Sequence, residues 1–404
     1  MKTLKRIWLS VIAAAVLASA GCSTTPSTVA VVNDVAITGE QYQRALNGFL
    51  SNYGLTDESL STTLGLAEAV DYKNGVIDEL VLQELMLQYA GENGLDQISD
   101  AESEEIDNKV SSYLENLRAS FSADVESEGT LQGDAASKEA EQRYKDYVDT
   151  YAYTSENLRE QFRRQLILDR VYDEVMSGCS VSEAEVQAYY SEAVTSQREA
   201  EQEDPDAVYE DYLERVAASD IIIYVPEKAE QEARYVKHIL VQIPSDVAAE
   251  ISEQEASGNE EQAEDLRSEA MAELRQKASE ILQEARAGAD FDALVARYNE
   301  DPGVAYNPDG YMVYEGAAFD SAFLEDALSL EKVGDISREP VESGNGYHII
   351  KFAAVPQAGA VPYSQVSKEI HDELQETKRK EYWSDAVAAW QEAAVIDKHE
   401  FRSE

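Results

Sequence analysis

Two short segments decide the fold of this chain: residues 236–243, which read VKHILVQI, and residues 346–353, which read GYHIIKFA. Both are rich in the β-branched and apolar residues of half-buried strands, and each contains one histidine. The predicted elements between and around them are strands at Val236–Ile243, Tyr311–Tyr314, near Ile336 and at Tyr347–Ala353, and helices at Asp246–Ala287, Phe291–Tyr298 and Ala322–Leu330. This order, β-α-α-β-α-β-β, predicts an α+β domain with one antiparallel sheet.

The chain on both sides of this region is mainly helical. Val29–Ile37 alternates around Asn33-Asp34 and predicts a hairpin. Thr38–Gln41 has the pattern of a capping box, so we expect a helix to begin there. Apolar residues at helical spacing predict further helices through Val76–Tyr89, through Leu158–Val175, onward from a second capping box at Ser182, and in the tail at Ser364–Ala394.

Two acidic segments, at 199–214 and 246–269, interrupt these patterns. We interpret both as solvated excursions, because runs of like charge are usually found on solvated faces. A strand pattern at Ile221–Val225, stopped by Pro226, is expected at a domain edge.

The composition excludes several classes of function. The chain has 404 residues with 80 Asp and Glu against 33 Lys and Arg, a formal net charge of −47. Binding to nucleic acid and docking on anionic lipid both depend on clusters of Lys and Arg, and the compact basic run Lys378–Lys380 is too short for either. Two cysteines exclude a disulfide scaffold, and without a CxxC or HExxH pattern we expect no metal or other cofactor. The length indicates two or three domains.

The first 22 residues have the pattern of an export signal. A cationic start precedes the apolar run Ile7–Leu17, which is shorter than the about 20 residues that span a bilayer. Ala20-Gly21-Cys22 resembles the bacterial lipobox, whose cysteine becomes the lipidated N-terminus, although Ser19 stands where that motif usually has Leu. We therefore predict a signal peptide at 1–21, lipidation of Cys22 and a tether at 22–28. The alternative is cleavage by an ordinary signal peptidase, with the cysteine incidental.

Five motifs between residues 233 and 355 resemble the parvulin family of peptidyl-prolyl isomerases, in that family's order and approximate spacing. They are Lys237–Val241 (KHILV), Gly288–Leu294 (GADFDAL), Glu300–Gly303 (EDPG), Val333–Ser337 (VGDIS) and Gly346–Lys351 (GYHIIK). The hairpin, the 158–190 segment and the C-terminal helix are similar to the chaperone domain that flanks the parvulin module in foldases of the PrsA and SurA type.

The resemblance implies a parvulin-type domain at 231–355, inserted in a mainly α-helical chaperone domain whose N-terminal part is 29–230. A C-terminal helix at 356–404 would pack with the chaperone domain. It further implies a membrane-anchored extracytoplasmic foldase that assists folding of exported proteins and catalyses cis–trans isomerisation of X–Pro bonds. The expected partners are unfolded or partly folded exported polypeptides and, through Cys22, the membrane; whether the protein is a homodimer stays open.

The resemblance also assigns roles to individual residues. The catalytic set is His238, His348, the Asp/Cys position Asp301 and the hydroxyl residue Ser343, and the substrate pocket is Phe319, Phe323 and Leu240. Each of these residues could instead have an ordinary structural role. The histidines could be hydrogen-bonded strand residues, Asp301 and Ser343 could be turn residues, and the apolar residues could simply pack in a core. The match of both histidines to these motifs favours the functional role for them; whether they catalyse or only order the pocket by hydrogen bonding stays open.

Two departures from the parvulin pattern leave a second hypothesis open. Phe319 stands where the family usually has Met, and Asp309–Met312 replaces the family's Gly-Asp-Leu-Gly element. A larger ring would narrow the proline pocket, while 23 tyrosines against 8 phenylalanines offer contact area for client chains. The alternative function is therefore a non-catalytic holdase chaperone with a degenerate parvulin module. A lipid-anchored adhesin or solute-binding protein has no motif in its favour.

Overall fold

The computed structural model describes residues 27–51, 55, 57–150 and 153–402. Its helices are α1 (Gly39–Ser51), α2 (Asp57–Leu64), α3 (Leu66–Asn93), α4 (Asp100–Glu128), α5 (Asp134–Thr150), α6 (Ser155–Met176), α7 (Glu183–Glu203), α8 (Pro205–Ala218), α9 (Glu227–Glu232), α10 (Ser245–Ala256), α11 (Glu260–Arg286), α12 (Phe291–Tyr298), α13 (Ser321–Ser329) and α14 (Tyr363–Ala393). Its strands are β1 (Thr28–Val32), β2 (Val35–Thr38), β3 (Tyr224–Val225), β4 (Arg234–Gln242), β5 (Tyr311–Val313), β6 (Val341–Ser343), β7 (Gly346–Ala354), β8 (Gly359–Ala360) and β9 (Ile396–Lys398). The predicted α+β class is confirmed.

The chain forms two compact units. The inserted unit is Val181–Leu374, and the split unit consists of the residues up to Ser180 and from Gln375 onward. The inserted unit therefore interrupts the sequence of the split unit, the kind of topology that the sequence predicts. The predicted domain limits at 230/231 and 355/356 follow the family motifs and stay a prediction.

The split unit is built on the β1–β2 hairpin. β1 pairs antiparallel with β2 and, along its other edge, with β9 from the end of the chain. The amide of Thr38 donates to the Gln41 side chain at 2.8 Å, and the amide of Gln41 donates to the Thr38 hydroxyl at 3.2 Å, which confirms the predicted capping box. The strand begins at Thr28, the last residue of the predicted tether; the rest of that tether before Ser27 and the predicted signal peptide lie outside the described residues.

The C-terminal part of α14 belongs to the split unit. Trp390 packs on Tyr89 of α3 with ring centroids 5.2 Å apart, and on Trp383 at 5.9 Å. Buried Ile167 and Val171 of α6 complete this cluster. The predicted tail helix is thus confirmed, and its tryptophans bind the end of the chain to helices near its start.

The inserted unit contains the antiparallel sheet that the sequence predicts, with strand order β5-β4-β7-β6. Successive side chains of a strand point to opposite faces. Ile239 of β4 and Ile349 of β7 therefore face a core with α11 and α12, whereas Val236 and Ile350 face a second core with α13. Helices thus cover both faces, and most residues of β4 and β7 are buried.

Gly346 allows β7 to begin next to β4. Its φ is 141°, and a Cβ at this position would overlap the carbonyl oxygen of Val241. Glycine is therefore required where the Gly-Tyr-His motif starts, because only it combines this conformation with so close an approach of two backbones.

The interpretation of the acidic segments as solvated excursions is wrong, but the helix predicted at Asp246–Ala287 is confirmed, as the two helices α10 and α11. Residues 199–214 form the end of α7 and most of α8, where Pro205 takes the first helical position and Tyr209 and Tyr212 are buried. Residues 246–269 form α10 and the start of α11, and bury Ile251 and Ala263. Charge dominates both segments, but the few apolar residues recur on one helical face and pack.

Two strand predictions are corrected. Ile336 forms only an isolated bridge to Lys351, and the edge strand beside β7 is β6. Of Ile221–Val225 only the last two residues pair, as β3 with β8. Within the described ranges, no helix combines the length and apolar composition needed to cross a bilayer.

Candidate active site

Two buried histidines lie side by side on the central strands of the inserted unit. His238 of β4 is opposite Ile350, and His348 of β7 is opposite Leu240, so the histidines are diagonal neighbours on one face. Their ring centroids are 5.1 Å apart, with the rings inclined by 67°. Only 5% of His238 and 8% of His348 are exposed. The alternation of the two strands therefore brings together residues that are far apart in sequence.

Asp301 reaches the pair from a loop fastened to the edge of β4. The amide of Leu240 donates to Asn299 Oδ1 at 2.8 Å, and the amide of Glu300 donates to the carbonyl of Leu240 at 3.0 Å. Asp301 then caps the 3₁₀ helix Pro302–Tyr306, accepting from the amide of Gly303. Its Oδ2 lies 3.3 Å from Nε2 of His238. The atoms are close without hydrogen-bond alignment, since neither ring nitrogen of His238 has a hydrogen-bond partner among the described residues.

An aromatic wall borders the histidines. Phe323 of α13 presents its ring to His238 at 5.3 Å and to His348 at 5.1 Å, edge to face in both cases. Phe319 stacks on Phe323 at 5.4 Å with an interplanar angle of 27°. Tyr311 of β5 meets His238 at 5.2 Å and Phe319 at 6.2 Å. These rings and the two imidazoles form one largely buried aromatic cluster.

Ser343 is in contact with the second histidine. Its hydroxyl lies 2.9 Å from Nε2 of His348, and which atom donates depends on the tautomer. The same hydroxyl accepts from the amide of Asn345 at 3.2 Å, which holds it in the turn between β6 and β7. His348 Nδ1 has no hydrogen-bond partner in the part of the chain that the structure describes.

All seven residues predicted for the site are thus neighbours, since Leu240 lies directly opposite His348 on the face that carries both histidines. The structure places His238, His348, Asp301, Ser343, Phe323 and Phe319 around one surface. The side chain of Leu240 is buried two residues beyond His238, and its backbone groups fasten the loop that carries Asp301. The roles of all seven stay predictions. The sequence analysis missed Tyr311, although its place inside the altered Gly-Asp-Leu-Gly element was a signal.

Two family models match this chain. Residues 238–354 match the PPIC-type PPIase domain, and residues 1–172 match the SurA-like N-terminal domain. The chain carries a PPIC-type peptidyl-prolyl isomerase domain. The predicted parvulin-type enzyme and its SurA-like flanking region are therefore confirmed.

Named relatives are similar over most of the chain. The foldase protein PrsA of Clostridium botulinum (strain 657 / Type Ba4) is 21% identical over 380 residues, which cover 93% of this chain and 88% of the relative. The chaperone SurA of Alcanivorax borkumensis is 23% identical over 326 residues, 80% of this chain and 56% of the relative. Among solved structures, PrsA from Bacillus subtilis is 16% identical. The alignment covers 94% of this chain and 96% of the PrsA chain, with a TM-score of 0.24.

Burial keeps both histidines of the PPIC-type domain neutral. Removal from water lowers the pKa of His238, an effect that the nearby Asp301 carboxylate partly opposes. Burial and the neighbouring His238 lower the pKa of His348 to about 4. At neutral pH each ring therefore has one N–H donor and one lone pair that can accept. The site offers uncharged donors and acceptors beside an aromatic wall.

The carboxyl group of Asp301 is ionised under the same conditions. Burial alone would raise its pKa, but the hydrogen bonds from the Tyr311 hydroxyl and the Gly303 amide, together with the two histidines, bring the pKa below its ordinary value. The candidate site therefore contains the negative charge of Asp301, held close to a neutral histidine.

Proposed function

We propose that this protein is a membrane-anchored extracytoplasmic foldase whose PPIC-type domain isomerises X–Pro bonds at the surface formed by His238, His348 and Phe323. The observation that carries the proposal is the neutral, buried histidine pair against an aromatic wall. This arrangement suits a reaction in which no covalent bond to the substrate is made.

The reaction requires stabilisation of a twisted amide. Rotation about a peptide bond crosses a barrier of about 18–20 kcal/mol because resonance is lost, and the uncatalysed X–Pro reaction takes tens to hundreds of seconds. A catalyst must therefore bind the twisted form more tightly than the planar forms. An apolar pocket for the proline ring and fixed donors around the amide achieve this without a nucleophile or a metal.

The residues of the site would divide these tasks. Phe323 and Phe319 would hold the proline ring against their faces. His238 and His348 would either act on the twisted bond through their ring nitrogens or order the pocket by hydrogen bonding; three of these nitrogens are buried without a hydrogen-bond partner among the described residues. Ser343 would fix the orientation of His348 through their 2.9 Å contact. Asp301 would favour one orientation of the N–H of His238.

The clients that we propose are unfolded or partly folded exported polypeptides. The SurA-like region at 1–172 and the names of the relatives, a foldase and a chaperone, support this class of client. The lipobox-like Ala20-Gly21-Cys22 supports attachment to the membrane through a lipid on Cys22.

The first experiment measures isomerisation of short X–Pro peptides by the full chain and two variants. His238→Ala removes one donor of the site, and Asp301→Ala removes the charge beside it. We expect each to lower kcat/KM by about 10-fold or more, a conservative bound on what a single positioned group contributes. His371→Ala is the matched control, because the side chain of His371 is 43% exposed on α14 and lies outside the site.

The same variants decide between the enzyme and the holdase. If the unchanged protein does not accelerate isomerisation at all, the proposed catalysis is refuted. Suppression of client aggregation by that protein would then favour the holdase. Retention of aggregation suppression by the His238→Ala variant would assign the two activities to different residues.

A further inference from the structure

The hydroxyl of Tyr311 lies inside the proposed isomerase site. The parvulin resemblance assigns no role to this tyrosine. It opens β5 and pairs with Val236 of β4, so its backbone is fixed by the sheet. Its ring packs against His238 at 5.2 Å and against Phe319 at 6.2 Å. The phenol therefore projects from a rigid strand toward the loop of Asp301.

The two oxygens of Asp301 receive one hydrogen bond each. The amide of Gly303 donates to Oδ1 at 2.9 Å, and the hydroxyl of Tyr311 donates to Oδ2 at 2.5 Å. The second length is that of a charge-assisted O–H···O⁻ hydrogen bond, the stronger class. Oδ2 is also the oxygen that lies 3.3 Å from Nε2 of His238. One carboxylate oxygen thus joins the tyrosine to the proposed catalytic surface.

Gly303 leaves the space that this hydrogen bond needs. A Cβ at residue 303 would overlap the hydroxyl of Tyr311 and would lie 3.2 Å and 3.3 Å from the two carboxylate oxygens. Any larger residue would push the phenol or the carboxylate away. Tyr311, Gly303 and Asp301 therefore form one arrangement whose geometry depends on all three.

We propose that Tyr311 is a positioning residue of the isomerase: its hydroxyl fixes the orientation of the Asp301 carboxylate and keeps Oδ2 directed at His238. The inference deepens the proposed function and rests on it for its effect on catalysis. Without the hydroxyl, the carboxylate would keep only the Gly303 hydrogen bond and would rotate away from Nε2 of His238. The orientation of that imidazole toward the substrate would then be less well defined.

The test compares Tyr311→Phe with the unchanged full chain by two measurements. The first is kcat/KM on an X–Pro peptide, which we expect to fall about 10-fold, the usual effect of losing a hydrogen bond to a charged group. The second is an NMR titration of the Asp301 carboxyl carbon, whose pKa we expect to rise. A residue with a merely structural role would leave this pKa unchanged.

Two further variants make the result specific. Gly303→Ala displaces the hydroxyl without removing it, so it should reproduce both effects and add little to Tyr311→Phe in the double variant. Tyr306→Phe is the matched control, because Tyr306 ends the same 3₁₀ helix and is 87% exposed. It should change neither measurement.

The outcomes separate this inference from the proposed function. An unchanged Asp301 titration and an unchanged kcat/KM in Tyr311→Phe would overturn the inference while the enzyme stands. If the wild-type protein has no isomerase activity, the proposed function is refuted. The NMR titration alone would then decide whether Tyr311 holds Asp301. If Tyr311→Phe does not fold, the Gly303→Ala titration decides the same question.

Discussion

At the scale of single residues, the site combines polar groups with near-complete burial. His238 and His348 are almost inaccessible, yet three of their four ring nitrogens have no hydrogen-bond partner among the described residues. Buried polar groups without partners are costly, and in native structures each such group calls for a functional or structural reason. The histidines therefore stay neutral, and three of their ring nitrogens keep an unused hydrogen-bonding capacity inside the site.

The low pKa of His348 predicts how stability depends on pH. The folded chain resists protonation of this imidazole down to about pH 4, whereas the unfolded chain takes up the proton near pH 6.5. The stability contribution is therefore complete above pH 6.5 and is lost as the pH falls toward 4. The loss corresponds to about 3 kcal/mol.

The measurement is the free energy of unfolding by urea at several pH values, for the unchanged protein and for His348→Gln. The difference between the two cancels the titration of the many carboxylates. We expect the unchanged protein to lose stability relative to the variant as the pH falls from about 7 to about 4. A difference that does not change with pH would contradict the low pKa of His348.

At the scale of elements, Ser337 shows why the expected strand near Ile336 does not form. The hydroxyl of Ser337 accepts from the amide of Ile350 at 2.8 Å and donates to the carbonyl of Ile350 at 3.1 Å. Its own amide also donates to that carbonyl at 2.9 Å. A buried side chain therefore takes the place of a strand partner along β7, beyond the end of β6.

Ser337→Ala should destabilise the inserted unit. It leaves the buried amide of Ile350 without a partner, which costs about 1–3 kcal/mol. Urea unfolding followed by far-UV circular dichroism measures the change. Ser279→Ala is the control, because its hydroxyl bonds to a carbonyl of the preceding turn on the exposed side of α11 and its loss should be close to neutral. Equal effects of the two substitutions would contradict the role of Ser337.

At the scale of the whole molecule, much of the net charge of −47 is carried by helices that also pack. The acidic segments at 199–214 and 246–269 are amphipathic and contribute to cores of the inserted unit. The charge thus coexists with packing, and its self-repulsion opposes aggregation between copies of the chain.

The proposed anchor is tested on the whole molecule in cells. Cys22→Ser should move the protein from the membrane fraction to the soluble extracytoplasmic fraction, because the thiol that would carry the lipid is lost. Labelling with a radioactive fatty acid should disappear in the same variant. Cys179→Ser is the matched control and should change neither result. A Cys22→Ser protein that stays in the membrane fraction would refute the anchor.

The sequence by itself determined the class of fold, the hairpin and its capping box, the antiparallel sheet and, through the parvulin resemblance, the seven neighbours of the candidate site. Strand alternation and helix caps act over a few residues, and the five parvulin motifs indicate the order of the elements. His238 and His348 were predicted to share one site because both fall on motifs that resemble the parvulin family; their places on two strands alone would not have paired them.

Only the tertiary structure decided the contacts between elements. That Tyr311 bonds Asp301, that Ser337 replaces a strand, and that α8 and α10 pack instead of projecting into solvent depends on distances across the fold. The periodicity of apolar residues within one segment gives no information about distances between segments. The sequence thus determined which groups meet at the isomerase site, and the packing of β5 and the Asp301 loop decided how they are held, because hydrogen bonds are sensitive to tenths of an ångström.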